Sequence, residues 1–109
     1  MNGNGAVKIW LSGRYENRLK QIISSVFGKE CGHTVVYLFG SRARGDCRVA
    51  SDIDLAVETD YPAAKSINAL KNELIESTIP YEVDVVDLQN ADDSLKRKVL
   101  IEGVVVWKK

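Results

Sequence analysis

Two aspartates separated by one residue, Asp52 and Asp54 in the segment Ser51-Asp52-Ile53-Asp54, carry the first chemical signal in this chain. Side chains alternate between the faces of a strand, so both carboxylates project to one face, about 6–7 Å apart along the chain. Two like charges at that spacing are costly unless something positive lies between them. Mg²⁺ meets the need, because it takes oxygen ligands and usually binds one or two carboxylates together with substrate phosphates. Aspartate is depleted in strands, so a pair flanking Ile53 is a poor choice for stability alone. The plainer alternative is two solvent-facing aspartates on an edge strand.

A second segment supplies the opposite charge. Gly40 and Gly45 bracket Ser41, Arg42, Ala43 and Arg44. Glycine lets backbone N–H groups approach a phosphate closely. A serine hydroxyl donates to phosphate oxygens, and an arginine fork matches their geometry. Alone, the segment also reads as a solvated turn with surface arginines. Together, a phosphate-binding loop leading within six residues into a carboxylate pair points to metal-assisted phosphoryl or nucleotidyl transfer.

A third carboxylate should complete such a site, and the segment Tyr81 to Leu88 offers Asp84 and Asp87. Three apart on a strand, they face opposite sides, so only one joins the pair. Asp84 lies mid-strand between Val83 and Val85, where a buried carboxylate needs a cation or donors. Asp87 lies at the strand end, where a turn satisfies it. Asp84 is therefore assigned to the site and Asp87 to structure.

The elements that must hold these residues are legible from periodicity. Ser12 to Phe27 repeats apolar residues at helical spacing (Tyr15, Leu19, Ile22, Ile23, Val26, Phe27), with Ser12 as N-cap, Glu16 in the first turns and Gly28 as terminator. Thr34 to Phe39 is β-branched and aromatic throughout, as in a strand covered on both faces. Asp52 to Val57 alternates and is the second strand. Pro62 opens a helix to about Ser77, with Ala63, Ile67, Leu70, Leu74 and Ile75 as its apolar face. Tyr81 to Leu88 is the third strand. Asn90 caps a helix over about Ala91 to Glu102, with Asp93 at the third position of a capping-box variant; Gly103 stops it, and Val104 to Trp107 is a short terminal strand. Ala6 to Leu11 reads as either helix or strand. The order predicts an α/β (α+β) domain, one small mixed sheet packed with helices. Residues 1–6 read as a flexible tail and 7–109 as a single domain.

Bulk properties exclude several classes. Hydrophobic residues make up 45% of the chain and charged residues 28%, as in a globular rather than a disordered chain. Fifteen basic residues balance fifteen acidic ones, so no overall field draws the chain to nucleic acid or an anionic membrane. No apolar run approaches the roughly 20 residues needed to span a bilayer. Cys31 and Cys47 form no CxxC, and with no signal peptide they read as reduced thiols of a cytoplasmic protein. His33 reads as a residue leading into the first strand, Trp10 and Trp107 as closing the core, and Lys96-Arg97-Lys98 as a solvated face.

The combination GSRARG, SDIDLAV and YEVDVVDL resembles the polymerase-β-type nucleotidyltransferases, and most closely their minimal members in two-gene toxin–antitoxin loci. The resemblance covers nearly the whole chain. It implies that Gly40 and Ser41 hold the β and γ phosphates of a nucleoside triphosphate, that Arg44 also touches phosphate, and that Asp52, Asp54 and Asp84 bind two Mg²⁺ ions. It further implies transfer of AMP from ATP to a tyrosine hydroxyl of a helical HEPN-type ribonuclease toxin, silencing it. Two other readings stay open at this level. One is a non-enzymatic antitoxin or adaptor acting by occlusion. The other is a nucleotidyltransferase acting on a small molecule or an RNA end.

Overall fold

The computed structural model describes residues 13–40, 43 and 52–109. Their elements follow the order α1 (Gly13–Phe27), β1 (Thr34–Phe39), β2 (Ile53–Thr59), α2 (Ala64–Glu76), β3 (Val83–Asp87), a 3₁₀ turn (Leu88–Asn90), α3 (Asp93–Glu102) and β4 (Val104–Lys108). The four strands form one mixed sheet in the order β3-β2-β1-β4. β1 pairs antiparallel with both β2 and β4, whereas β2 and β3 run parallel. A parallel pair needs a crossover, and α2 supplies it as the helix of a βαβ unit. The reading of Ala6 to Leu11, Trp10, the Ser12 cap and the tail lie outside the described residues.

Period-two alternation divides the sheet into two faces. Ile53, Leu55 and Val57 of β2 and Val36 and Leu38 of β1 point to one face. There they meet Leu19, Ile22, Ile23, Val26 and Phe27 of α1, and Ile67, Leu70 and Leu74 of α2. Removing a side chain such as Leu70 or Ile23 from water contributes about 1.5–3 kcal/mol. The opposite face holds a smaller cluster of Phe39, Ala56, Leu88 and Val99, with α3 laid across it. β1 is thus covered on both sides, as its continuous apolar run predicts.

Several boundaries differ from the sequence expectation, each for a local reason. Pro62 does not occupy the first turn of α2, because Ala63 is the boundary residue and the helix begins at Ala64. Ile75, expected on the buried face, is 80% exposed. Leu74 takes the inward position there, and its neighbour one residue on is rotated about 100° away. Asn90 does not cap the last helix: it lies in the 3₁₀ turn, and Asp92 accepts from the Leu95 N–H at 2.8 Å. Asp93 is therefore the first helical residue, not the third position of a capping box.

Helix ends and strand ends are tied down by specific donors. The Gly103 N–H donates to the Val99 carbonyl at 2.7 Å, closing α3 where expected, and a Cβ at Gly103 would overlap that carbonyl. Lys109 and Thr34 exchange backbone hydrogen bonds at 2.8 and 3.2 Å, fastening β4 to the start of β1. β4 also carries a register shift opposite Val36 and Tyr37, where Val106 is the extra residue. Trp107 packs on Phe27 with ring centroids 6.4 Å apart and closes the core at that edge.

Candidate active site

The three strands β1, β2 and β3 set the candidate residues in a row. Phe39 stands opposite Asp54 in the antiparallel pair, and Asp54 stands beside Asp84 in the parallel pair. Residues in register on neighbouring strands lie roughly 4.8 Å apart and share a face. That face is the α3 side, because Phe39 belongs to the α3-side cluster, whereas the residues flanking Asp54, Ile53 and Leu55, enter the large core. Asp54 is half-buried and Asp84 is exposed.

Gly40 follows Phe39 at the end of β1 and backs onto this pair. It is buried, and its φ of +81° lies in the left-handed region that favours glycine. A Cβ at Gly40 would overlap the Asp54 Oδ2 atom. Glycine is thus required twice, for the turn out of β1 and for the space the Asp54 carboxylate occupies. The Gly40 N–H donates to Glu102 Oε2 at 2.7 Å. Glu102 is the last residue of α3, where a negative charge opposes the helix dipole. Its hydrogen bond to Gly40 offsets that cost and fixes the start of the loop.

The two aspartates of the sequence motif have different surroundings. Asp54 is inside β2, whereas Asp52 lies one residue before the strand and is exposed. The β2–β3 ladder already begins at Ile53, whose N–H donates to the Glu82 carbonyl at 2.9 Å. The second strand therefore starts one residue later than predicted and ends two residues later, at Thr59. Asp84 differs from its expected environment in one respect. It is not buried, because β3 is the outermost strand among the described residues. What places Asp84 with the site is its in-register position beside Asp54.

Asp87 has a structural role. Its Oδ1 accepts from the Gln89 N–H at 3.0 Å and its Oδ2 from Asn90 Nδ2 at 2.9 Å, capping the 3₁₀ turn. Gln89 in turn donates to the Thr59 carbonyl at 2.7 Å, to Thr59 Oγ1 at 2.9 Å and to the Tyr61 carbonyl at 3.0 Å, holding the end of β2. His33 is exposed, and its backbone N–H donates to Asp60 Oδ1 at 2.9 Å, as suits a residue leading into β1. Cys31 is a free, exposed thiol.

Ser41, Arg42 and Arg44, together with Gly45, Cys47 and Ser51, lie outside the described residues. Among the described residues no three histidine, cysteine, aspartate or glutamate side chains converge closely enough to hold a metal ion. The arrangement is instead a carboxylate pair on one face with a glycine cradle behind it. That donor set fits Mg²⁺, which completes its octahedron with phosphate oxygens and water. An open cleft of about 810 Å³ runs from the pair along β3, lined by Asp54, Asp84, Glu82, Lys71, Ile75, Pro80 and neighbouring residues.

Glu102 and Lys71 were not singled out by the sequence. An acidic residue in the last turn of a helix, against the dipole, is the one signal that marks Glu102. No sequence signal marks Lys71, which lines the cleft along β3 because α2 packs beside that strand.

The family model described as polymerase beta, nucleotidyltransferase, matches residues 21–109. A probable protein adenylyltransferase MntA of Haemophilus influenzae is 27% identical over 89 residues, covering 81% of this chain and 78% of that protein. The protein adenylyltransferase MntA of Shewanella oneidensis is 36% identical over 76 residues, covering 67% of this chain but only 52% of its own length. Among solved structures, a toxin–antitoxin complex with AMP-PNP matches with a TM-score of 0.68 at 30% identity, over 84% of this chain and 72% of that one. A complex of tri-AMPylated HEPN toxin with MNT antitoxin, from Shewanella oneidensis, matches with a TM-score of 0.61 at 28% identity, over 84% and 68%.

Proposed function

The chain belongs to the polymerase beta nucleotidyltransferase family, and on that premise we propose that it is a protein adenylyltransferase acting as an antitoxin. It transfers AMP from ATP to a tyrosine hydroxyl of a partner HEPN-type toxin. The observation that carries this reading is the in-register pair Asp54 and Asp84, with Gly40 backed onto Asp54. The names of the relatives, two protein adenylyltransferases and an AMPylated toxin in complex with its antitoxin, support the acceptor class.

Each residue has a distinct task. Gly40 and Ser41 receive the terminal phosphates, with Arg44 adding positive charge beside them. Asp54 and Asp84, with Asp52 before the strand, would hold two Mg²⁺ ions together with phosphate oxygens, and the ions would neutralise phosphate charge and stabilise the attacking and leaving oxygens. The acceptor oxygen forms a bond to the α-phosphorus as the bond to the bridging oxygen breaks. Pyrophosphate leaves with that electron pair, and the hydroxyl proton passes to the Asp84 carboxylate. Gly40 lies against Asp54, and Glu102 positions Gly40.

The test uses ATP labelled at either the α or the γ phosphate, Mg²⁺ and the partner toxin. Label from the α position should appear covalently on the toxin, and label from the γ position should not. Absence of α-label on the toxin, or incorporation from the γ position, contradicts the proposal.

A further inference from the structure

Exposed apolar residues are unevenly placed in this chain. Four large ones stand exposed among the described residues: Ile75, Leu100, Ile101 and Val105. Three of the four fall between positions 100 and 105, at the end of α3 and the start of β4. Leu100 is 70% exposed and Ile101 79%, so neither holds α3 on the sheet; Val99 and Leu95 do that. Val105 stands opposite Tyr37 in the β1–β4 ladder and so faces the α3 side as well.

The outer side of α3 also carries charge. At about 100° per residue, Lys96, Leu100, Arg97 and Ile101 form one continuous flank beside and opposite Val99. Each cation precedes an apolar residue by one turn, so the pairs Lys96/Leu100 and Arg97/Ile101 are surface neighbours. No described residue forms an ion pair with Lys96 or Arg97. A cleft of about 280 Å³ opens beside this flank, between Lys96 and Leu100 on the helix and Glu58 and Gln89 at the ends of β2 and β3. The flank therefore offers an apolar centre, two uncompensated positive charges and a recess for one large side chain.

We infer that the Lys96–Ile101 flank of α3 is the docking surface for the partner toxin. The occupant is a toxin surface of complementary chemistry, apolar where it covers Leu100 and Ile101 and acidic where it meets Lys96 and Arg97. A second copy of this chain fits less well, because a two-fold contact sets the same patch against itself, cations included. A bare polyanion would leave Leu100 and Ile101 facing water. α3 lies across the face to which Asp54 and Asp84 point, and its last residue, Glu102, accepts from the Gly40 N–H at 2.7 Å. A partner seated on α3 is thus held on the carboxylate side of the sheet. This inference rests on the adenylyltransferase reading and names the surface that reading leaves unassigned.

The experiment measures toxin binding, by calorimetry without ATP and at two salt concentrations. It compares the unaltered chain, a double variant (Leu100→Gln with Ile101→Gln) and Arg97→Glu. Transfer from α-labelled ATP and affinity for AMP-PNP are measured on the same samples. All three positions are exposed, so melting temperatures should stay within about 3 °C of the unaltered chain. The double variant should weaken toxin binding about tenfold or more. Arg97→Glu should weaken it about fivefold, with a shallower dependence on salt. KM for the toxin should rise in proportion, with kcat and AMP-PNP affinity unchanged. Unaltered toxin binding by either variant overturns the inference. So does a dimer of the unaltered chain that the double variant abolishes while toxin binding persists, which would give the surface to a second copy. Toxin that the unaltered chain does not bind overturns both this inference and the adenylyltransferase reading. Toxin that binds but is never labelled overturns that reading alone, and the binding measurements still decide the surface.

Discussion

Among the described residues, seventeen buried ones, drawn from α1, α2, all four strands and the segments flanking α2, pack on one face of the sheet; four pack on the other. The same strands serve both. In β2, Ile53, Leu55 and Val57 point into the large core, while Asp54, Ala56 and Glu58 point the other way. Stability and chemistry are therefore interleaved with a period of two along one strand. The poorly covered face can hold a carboxylate pair because the well-covered face supplies the free energy that keeps the strands in register. The two faces should also fail differently when altered.

The largest expected effect lies on the packed face. Leu70 is fully buried, and Leu70→Ala should cost about 2–5 kcal/mol in urea unfolding. Transfer per folded molecule should be unchanged, and a matching fall in transfer would break the separation of the faces. Gly40→Ala tests the point where backbone and site meet. Its left-handed φ alone costs roughly 1–2 kcal/mol. Displacing the Asp54 carboxylate should lower the transfer rate on the order of a hundredfold. Calorimetry and labelled-ATP assays on one sample would separate the two losses.

Asp92→Ala should cost about 1 kcal/mol of thermal stability by removing the cap of α3, with little change in the unfolding of the larger core. The smallest effect is alkaline. Tyr37, on the α3 side, is held above its usual pKa by burial, then by its hydrogen bond to Glu58 at 2.9 Å and by the Glu58 charge. Tyr61, on the other side, is raised by burial and by the charges of Glu30 and Asp60, against the lowering effect of its hydrogen bond with Thr34. Because the folded values are raised, the associated stability is complete below the unfolded pKa near 10 and is lost as pH rises through the folded values. Tyr37→Phe and Tyr61→Phe should each flatten the fall in melting temperature above that pH, and equal flattening would show both faces strained alike by base.

The element order, the β1 strand and the buried faces of α1 and α2 were legible in the sequence, because period and apolar content leave few alternatives there. The last helix was misjudged at its start because Asn90, Asp92 and Asp93 are all good caps, and only tertiary context selects Asp92. Ile75 was misjudged because a helix tolerates an apolar residue at the border of its buried stripe. Parity along the strand puts Asp84 and Asp87 on opposite faces, and the ladder pairs Asp84 with Asp54 and Asp87 with Val57. Sequence could not reveal that β2 and β3 run parallel with Asp54 beside Asp84, since register is a long-range property. Nor could it reveal Glu102, which reaches Gly40 across 62 residues of chain.

The central claim is that Asp54 and Asp84 act as one pair in nucleotide transfer. The most direct measurement compares Asp54→Asn and Asp84→Asn with the unaltered chain, for α-label transfer and for thermal unfolding. Each should lose transfer by about a hundredfold or more. Asp84→Asn should not melt lower, because Asp84 is exposed on the outermost described strand and its loss relieves repulsion with Asp54. Undiminished transfer with either variant would contradict the account.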